Sequence, residues 1–202
     1  RQIVLSDDDA PLVSLLGGSD CLIAGHLLEV CAFLEGKQNL RLPPPESLPT
    51  AVSCEDLNEV MGQQQGKRAL EVTASGGHNL LLIGPPGTGK TMLATRMRGL
   101  LPPLSDREAL ESAAIMSLEN TYRVQNEWRR RPFRAPHHSA SLAAMVGGGS
   151  IPAPGEISLA HNGILFLDEL PEFERRVLDA LREPIESGKI HISRTRAKIT
   201  YP

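Results

Sequence analysis

Gly84-Pro85-Pro86-Gly87-Thr88-Gly89-Lys90-Thr91 is the stretch that most narrows what this chain can fold into. It fits G-x-x-x-x-G-K-[ST], a loop that cradles phosphates between a strand and a helix. The flanks agree with that context. Asn79-Leu80-Leu81-Leu82-Ile83 reads as a short buried strand leading in, and Met92 to Leu101 as the helix leading out. Glycines let the backbone turn tightly and aim its N–H groups at phosphate oxygens. The helix that follows adds roughly half a positive charge at its N-terminus. In such a loop Lys90 reaches the β and γ phosphates and Thr91 holds Mg²⁺. A chance glycine-rich turn ending in Lys-Thr is the competing reading. The agreement of strand, loop and helix speaks against it.

A second signal lies in Ile164-Leu165-Phe166-Leu167-Asp168-Glu169, where four apolar residues run into two acids. In an open parallel sheet, ligands gather at the carboxyl ends of the strands. Both motifs would end there. Asp168 is then the expected Mg²⁺ partner, directly or through water, and Glu169 the base that orients and deprotonates an attacking water. Hydrolysis of a nucleoside triphosphate needs both jobs. Standing alone, two acids after a strand would mean little. The pairing with the phosphate loop gives them weight.

Between and around these motifs the pattern alternates. Arg1 to Leu5 reads as a strand and His26 to Leu34 as a helix. Leu42-Pro43-Pro44-Pro45 and Leu48-Pro49 make a stiff linker. Gln63 to Ser75 reads as a helix stopped by Gly76-Gly77. Ser105 and Glu108 form a capping box ahead of a helix over Ala109 to Leu118. Residues 123–150 carry no clear period, which suggests a functional insertion or a lid. Phe173 to Ser187 reads as one amphipathic helix, with Phe173, Val177, Leu178, Leu181 and Ile185 on a single face and Gly188 as its stop. Ile190 to Ser193 and Lys198 to Tyr201 read as the arms of a hairpin. Strands alternating with helices imply an α/β fold with a parallel sheet.

Composition bounds the partners. The 202 residues carry a net charge of −3, so the total names none. Its distribution is uneven. Tyr122 to His138 holds five Arg and one Glu, Lys189 to Pro202 two Lys and two Arg, and Glu156 to Glu186 eight acids against three Arg. Trp128-Arg129-Arg130-Arg131-Pro132-Phe133-Arg134 mixes arginine with aromatics, a pattern suited to backbone phosphates and base stacking, or to an ordinary surface loop. Arg194 and Arg196 on the hairpin suit a threaded polymer, a neighbouring subunit, or a solvated turn. His137 and His138 are adjacent with no further ligand cluster, a poor pattern for a metal. Gly147-Gly148-Gly149 lacks a following Lys-Thr and so makes no second phosphate loop. Three cysteines without a Cys-x-x-Cys point to a reducing, cytoplasmic setting. No apolar run is long enough to span a membrane. With no initiator Met and no terminal helix or tail, the chain reads as an excised segment of a longer protein.

Beyond single motifs, longer stretches carry a resemblance. They are Gly62-Gln63-Gln64-Gln65-Gly66-Lys67-Arg68-Ala69-Leu70-Glu71, Arg131-Pro132-Phe133-Arg134-Ala135-Pro136-His137-His138-Ser139, Pro154-Gly155-Glu156-Ile157-Ser158-Leu159-Ala160-His161, Leu170-Pro171-Glu172-Phe173 and Leu181-Arg182-Glu183-Pro184-Ile185-Glu186. Together they resemble the magnesium-chelatase-like AAA+ ATPases, in their ComM-like competence branch, from about Asp20 to Pro202. The resemblance implies a P-loop NTPase core over 53–202, a linker over 37–52, and, over 1–36, the tail of a Lon-protease-like domain. It implies nucleotide contact along Gly84 to Thr91, Mg²⁺ on Thr91 and Asp168, and catalysis by Glu169 with Lys90. It further implies a hexameric, DNA-directed helicase that promotes branch migration in natural transformation. Sensor and lid elements would lie past Pro202, so the segment alone is expected to hydrolyse ATP weakly or not at all. Two alternatives stand beside this: the ATPase subunit of a magnesium chelatase complex, and a nucleotide-binding scaffold without turnover.

Overall fold

A computed structural model describes residues 2–15, 20–44, 55–118, 127–148, 153–194 and 197–201. The chain divides into two compact units, 1–52 with 123–128, and 53–122 with 129–202.

In the first unit, β1 (Ile3–Ser6) and β2 (Cys21–Ala24) form a parallel ladder, with Ile3 opposite Cys21 and Ser6 opposite Ala24. The helix α1 (Ala10–Leu15) connects them. After β2 comes α2 (Leu27–Leu34), where the sequence places a helix. His26 caps it, its Nδ1 accepting from the Leu28 N–H at 3.1 Å. Leu22, Ala24 and Leu40 form the small core, with Val4, Val30 and Phe33 packed against it. Arg41 closes the unit's edge with a two-oxygen contact to Asp7 at 2.9 Å.

The second unit holds both motifs. The helix α3 (Gln64–Gly76) ends where the glycine pair predicts, with Gly77 left-handed at φ 61°. It packs on α4 (Lys90–Leu100) through Leu70 and Leu93, with Val60 completing a buried cluster. The capping box forms as expected. Glu108 Oε2 accepts from the Ser105 N–H at 2.9 Å, Ser105 Oγ accepts from the Glu108 N–H at 3.4 Å, and α5 (Asp106–Met116) follows.

The expected buried strand over Asn79 to Ile83 is not there. These residues have no regular structure and no ladder partner among the described residues, and Leu81 and Ile83 are 65% and 87% exposed. An apolar run becomes a strand only when a neighbour takes its N–H and C=O groups, and none does here.

The second motif fares differently. Within the residues expected to be aperiodic, Phe133–Arg134 is a strand, β3, Leu142–Val146 is a helix, and Gly147–Gly148 is a strand, β4. The tip pairs with β5 (Ala153–Pro154) in antiparallel fashion. The next strand, β6 (Ile164–Leu165), runs parallel to β3, with Phe133 opposite Ile164. The ladder continues one step as Phe166 donates to the Arg134 carbonyl at 2.8 Å. Gly163 permits the approach, since a Cβ there would collide with the Pro132 carbonyl. The strand is half-buried.

The single helix expected over Phe173 to Ser187 is broken into Arg175–Ala180 and Arg182–Ser187 at Leu181. Pro184 has no N–H to offer the Ala180 carbonyl, which removes the bond that would join them. Phe173, Val177 and Leu181 are buried as the pattern requires, but Ile185 is 67% exposed, carried off the face by the break. The hairpin forms from β7 (Ile190–Arg194) and β8 (Ala197–Tyr201), with Ile190 opposite Tyr201 and both buried. The α/β class is present. Its ladders, however, are short pairs of strands, and no single sheet carries both motifs among the described residues.

Candidate functional site

The phosphate loop takes its shape from its own residues. Gly87 and Gly89 sit at φ 77° and 81°, a region that side chains disfavour. Gly89 is the N-cap of α4, so Lys90 and Thr91 open the helix. Thr88 Oγ1 donates to the Pro85 carbonyl at 2.9 Å and tightens the turn. Lys90 Nζ folds back onto the Gly84 and Pro85 carbonyls, each at 2.9 Å. Pro86 completes the loop and carries no N–H. Gln63 ties the loop from outside, its Nε2 donating to the Thr88 carbonyl at 2.9 Å. Gln63 itself is left-handed at φ 54°, a conformation that non-glycine residues hold at a cost.

Asp168 and Glu169 meet this loop from the other motif. Thr91 Oγ1 donates to Asp168 Oδ2 at 2.9 Å, across 77 residues of sequence. The second oxygen, Asp168 Oδ1, accepts from the Glu169 N–H at 3.0 Å. Glu169 is also left-handed, at φ 53° and ψ 46°, and starts the 3₁₀ turn Leu170–Glu172. Leu165 and Leu167 pack against the buried Met145, Phe173 and Val177, which fixes the base on which the two acids stand. Beside them lies a cavity of about 400 Å³. Thr91, Thr95, Asp168, Glu169, His137 and His138 form its polar wall, and Phe133 and Phe166, stacked with centroids 6.0 Å apart, part of its apolar one.

A hydroxyl and a carboxylate facing each other are hard oxygen donors, the set that Mg²⁺ takes together with phosphate oxygens and water. The residues present therefore fit Mg²⁺ and a nucleotide phosphate chain. Thr91, Asp168 and Glu169, singled out in the sequence, come together on the cavity wall, while the Lys90 amine stays on its own loop carbonyls. The arginine-rich stretch does not join them. Arg129 Nε donates to Asp106 at 2.8 Å. Arg131 serves the Pro102 and Asn162 carbonyls at 2.7 and 2.8 Å. Arg134 makes a two-pronged, half-buried ion pair with Glu156 at 2.6 and 2.8 Å. Trp128 is buried and Phe133 lies on Phe166. Of the two readings of this stretch, these contacts support the packing one for Arg129, Arg131 and Arg134, whose partners lie within the second unit. On the hairpin, residues 195 and 196 lie outside the described residues, as does Gly149 of the glycine triplet.

Two site residues carry no assigned role in the sequence reading. Gln63 is signalled only by the Gly62-Gln63 step before a helix. His138 is signalled only by its place in Pro136-His137-His138-Ser139.

With this geometry in view, the chain's kinship can be stated. A family model described as magnesium chelatase, subunit ChlI, matches residues 56–202, and the chain belongs to that family. Among curated relatives, the uncharacterized protein YifB of Escherichia coli is 70% identical over the whole chain, which covers 40% of that protein. The competence protein ComM of Haemophilus influenzae is 54% identical, again over the whole chain and 41% of its own length. Lon protease 2 of Bacillus subtilis is 26% identical over 73% of the chain and 28% of its own length. The chain thus spans about 40% of the length of the first two relatives. No described helix is long and apolar enough to cross a membrane.

Proposed function

We propose that this chain is the ATP-binding and hydrolysing core of an oligomeric, DNA-directed motor of the ComM type. The carrying observation is the 2.9 Å contact from Thr91 Oγ1 to Asp168 Oδ2, which joins the phosphate loop to the acidic pair. Gly84, Pro85, Pro86, Gly87, Thr88 and Gly89 wrap the phosphates. Lys90 leaves its two loop carbonyls to reach the β and γ phosphates. Thr91 and Asp168 hold Mg²⁺. The ion, when bound, neutralises phosphate charge and orients the terminal group for attack. Glu169 takes the proton of the attacking water, its carboxylate placed by the strand end.

The DNA-directed half of the reading draws on the competence relative and on the hairpin β7–β8, whose arms carry Arg194 and Lys198, with Lys189 just ahead of β7. We assign 53–202 to the ATPase core and 1–36 to the end of a Lon-protease-like domain; of the expected linker 37–52, Leu40 and Arg41 pack with the first unit, which leaves the linker to the residues after them. A hexameric ring in the cytoplasm, working on branched or single-stranded DNA to drive branch migration in transformation, completes the proposal. The family description itself favours one second reading, an ATPase subunit that works with magnesium chelatase partners.

Steady-state ATP hydrolysis by the full-length protein separates them. It is measured without DNA, with single-stranded DNA and with a four-way junction. DNA stimulation that is lost in Glu169→Gln supports the motor. Robust hydrolysis indifferent to every DNA sinks the DNA half and moves attention to chelatase partners.

A further inference from the structure

Three polar residues on the cavity wall, Thr95, His137 and His138, belong to neither motif, and His138 is the one that touches Glu169. His138 Nδ1 lies 3.2 Å from Glu169 Oε2, within hydrogen-bonding reach. An ionised carboxylate only accepts, so Nδ1 must carry the proton in this pairing. The contact engages one oxygen, Oε2, and the other oxygen of Glu169 is left for a water molecule.

The segment that delivers His138 is itself held. It leaves β3, whose pairing to β6 sets its start relative to Asp168. A turn follows, closed by the Ala140 N–H on the His137 carbonyl at 2.9 Å. His137 Nδ1 accepts from the Ser139 N–H at 3.3 Å and lies 2.8 Å from Ser139 Oγ, which puts the His137 ring proton on Nε2. The His137 ring then lies against the His138 ring, centroids 4.0 Å apart and tilted by 36°. Glu169, by contrast, stands on a left-handed backbone with its side chain 65% exposed. A base that exposed needs an outside group to fix it, as the third member of a nucleophile–base–orienter set does.

We propose that His138 is a positioning residue for Glu169, holding one carboxylate oxygen so that the other faces the attacking water. The proposal rests on the reading of Glu169 as the base. His137 and Ser139 set the angle of the His138 ring. The chain of contacts runs from the Ser139 amide through the two imidazole rings to Oε2, the oxygen that is held.

The test uses His138→Ala, His138→Asn and Glu169→Gln in the full-length protein. It reads kcat and KM for ATP, the Kd of a fluorescent ATP analogue, and the thermal midpoint. His138→Ala is expected to lower kcat roughly 10-fold or more, the scale of a misplaced reacting group, with KM, Kd and midpoint unmoved. His138→Asn should recover most of the loss, because Asn Nδ2 can stand where the ring Nδ1 stood. A His138→Ala protein that matches or outpaces the wild type, while Glu169→Gln is dead, overturns this inference and leaves Glu169 as base. Full turnover in Glu169→Gln overturns both. A kcat loss that comes with a lower midpoint and no recovery in His138→Asn assigns the residue to packing and also overturns it.

Discussion

The segment that delivers Asp168 and the segment that delivers the phosphate loop begin from similar apolar sequences and end in different states. Ile164 to Leu167 is laddered to β3, and Leu165 and Leu167 pack on Met145, Phe173 and Val177. Asn79 to Ile83 pairs with no described strand and leaves Leu81 and Ile83 in solvent. Yet Thr91 still reaches Asp168. The loop therefore does not depend on a ladder beneath it. Left-handed glycines, the start of α4, the Lys90 latch and the Gln63 tie give it its form. The acidic pair depends on buried packing, and the phosphate loop on local backbone geometry.

The largest effect that probes this contrast is chemical. Glu169→Gln removes the base from the well-anchored half, and turnover should fall about 10²- to 10⁴-fold. Binding of a fluorescent ATP analogue should persist, since the loop is untouched. Loss of binding would mean that the halves are not separable.

Packing gives the next largest. Met145→Ala should cost about 2–5 kcal/mol, the range for a fully buried large side chain. The matched change Leu81→Ala should move stability by no more than about 0.5 kcal/mol, the surface range. Urea unfolding of both variants checks the pair. A large cost at Leu81 would show that the lead-in segment is covered in solution and would erase the contrast.

A smaller loss is expected from Arg134→Ala, about 1–3 kcal/mol for an unpaired, half-buried Glu156 left behind. The same unfolding experiment measures it, and unchanged affinity for DNA would agree with a structural arginine.

The smallest effect is acid-dependent. The Ser105 side chain and then its backbone hold the Glu108 carboxyl below its ordinary value. A lowered native pKa favours the charged form in the fold. Its stabilisation is present above the ordinary glutamate value of about 4.3 and is lost as pH falls through the native pKa. Thermal midpoints of wild type and Ser105→Ala should differ slightly at pH 7 and converge in acid.

Much of this was legible in the residues. The capping box, the Gly77 and Gly188 stops and the hairpin follow from local chemistry that each short stretch carries alone. The meeting of Thr91 and Asp168 was expected from where strand ends gather, and it occurs although no described strand leads into the phosphate loop. Three features did not follow. The fate of Asn79 to Ile83 depends on a neighbour that its own sequence does not name. Pro184 was passed over inside a single helix from Phe173 to Ser187, though its missing N–H breaks that helix at Leu181. The arginines from Arg129 to Arg134 looked like a surface for phosphates. Their partners, Asp106, Pro102, Asn162 and Glu156, are scattered along the chain, and only the folded backbone brings them near.

The central claim is that the two differently built halves close on one metal–nucleotide site through Thr91 and Asp168. Its most direct test is the Mg²⁺ dependence of ATP hydrolysis by the full-length protein, as wild type, Thr91→Ala and Asp168→Asn. Each substitution should raise the Mg²⁺ needed for half-maximal rate by roughly 10-fold or more, the scale of losing one ligand contact to the ion. A Mg²⁺ requirement unchanged in both variants would contradict the account.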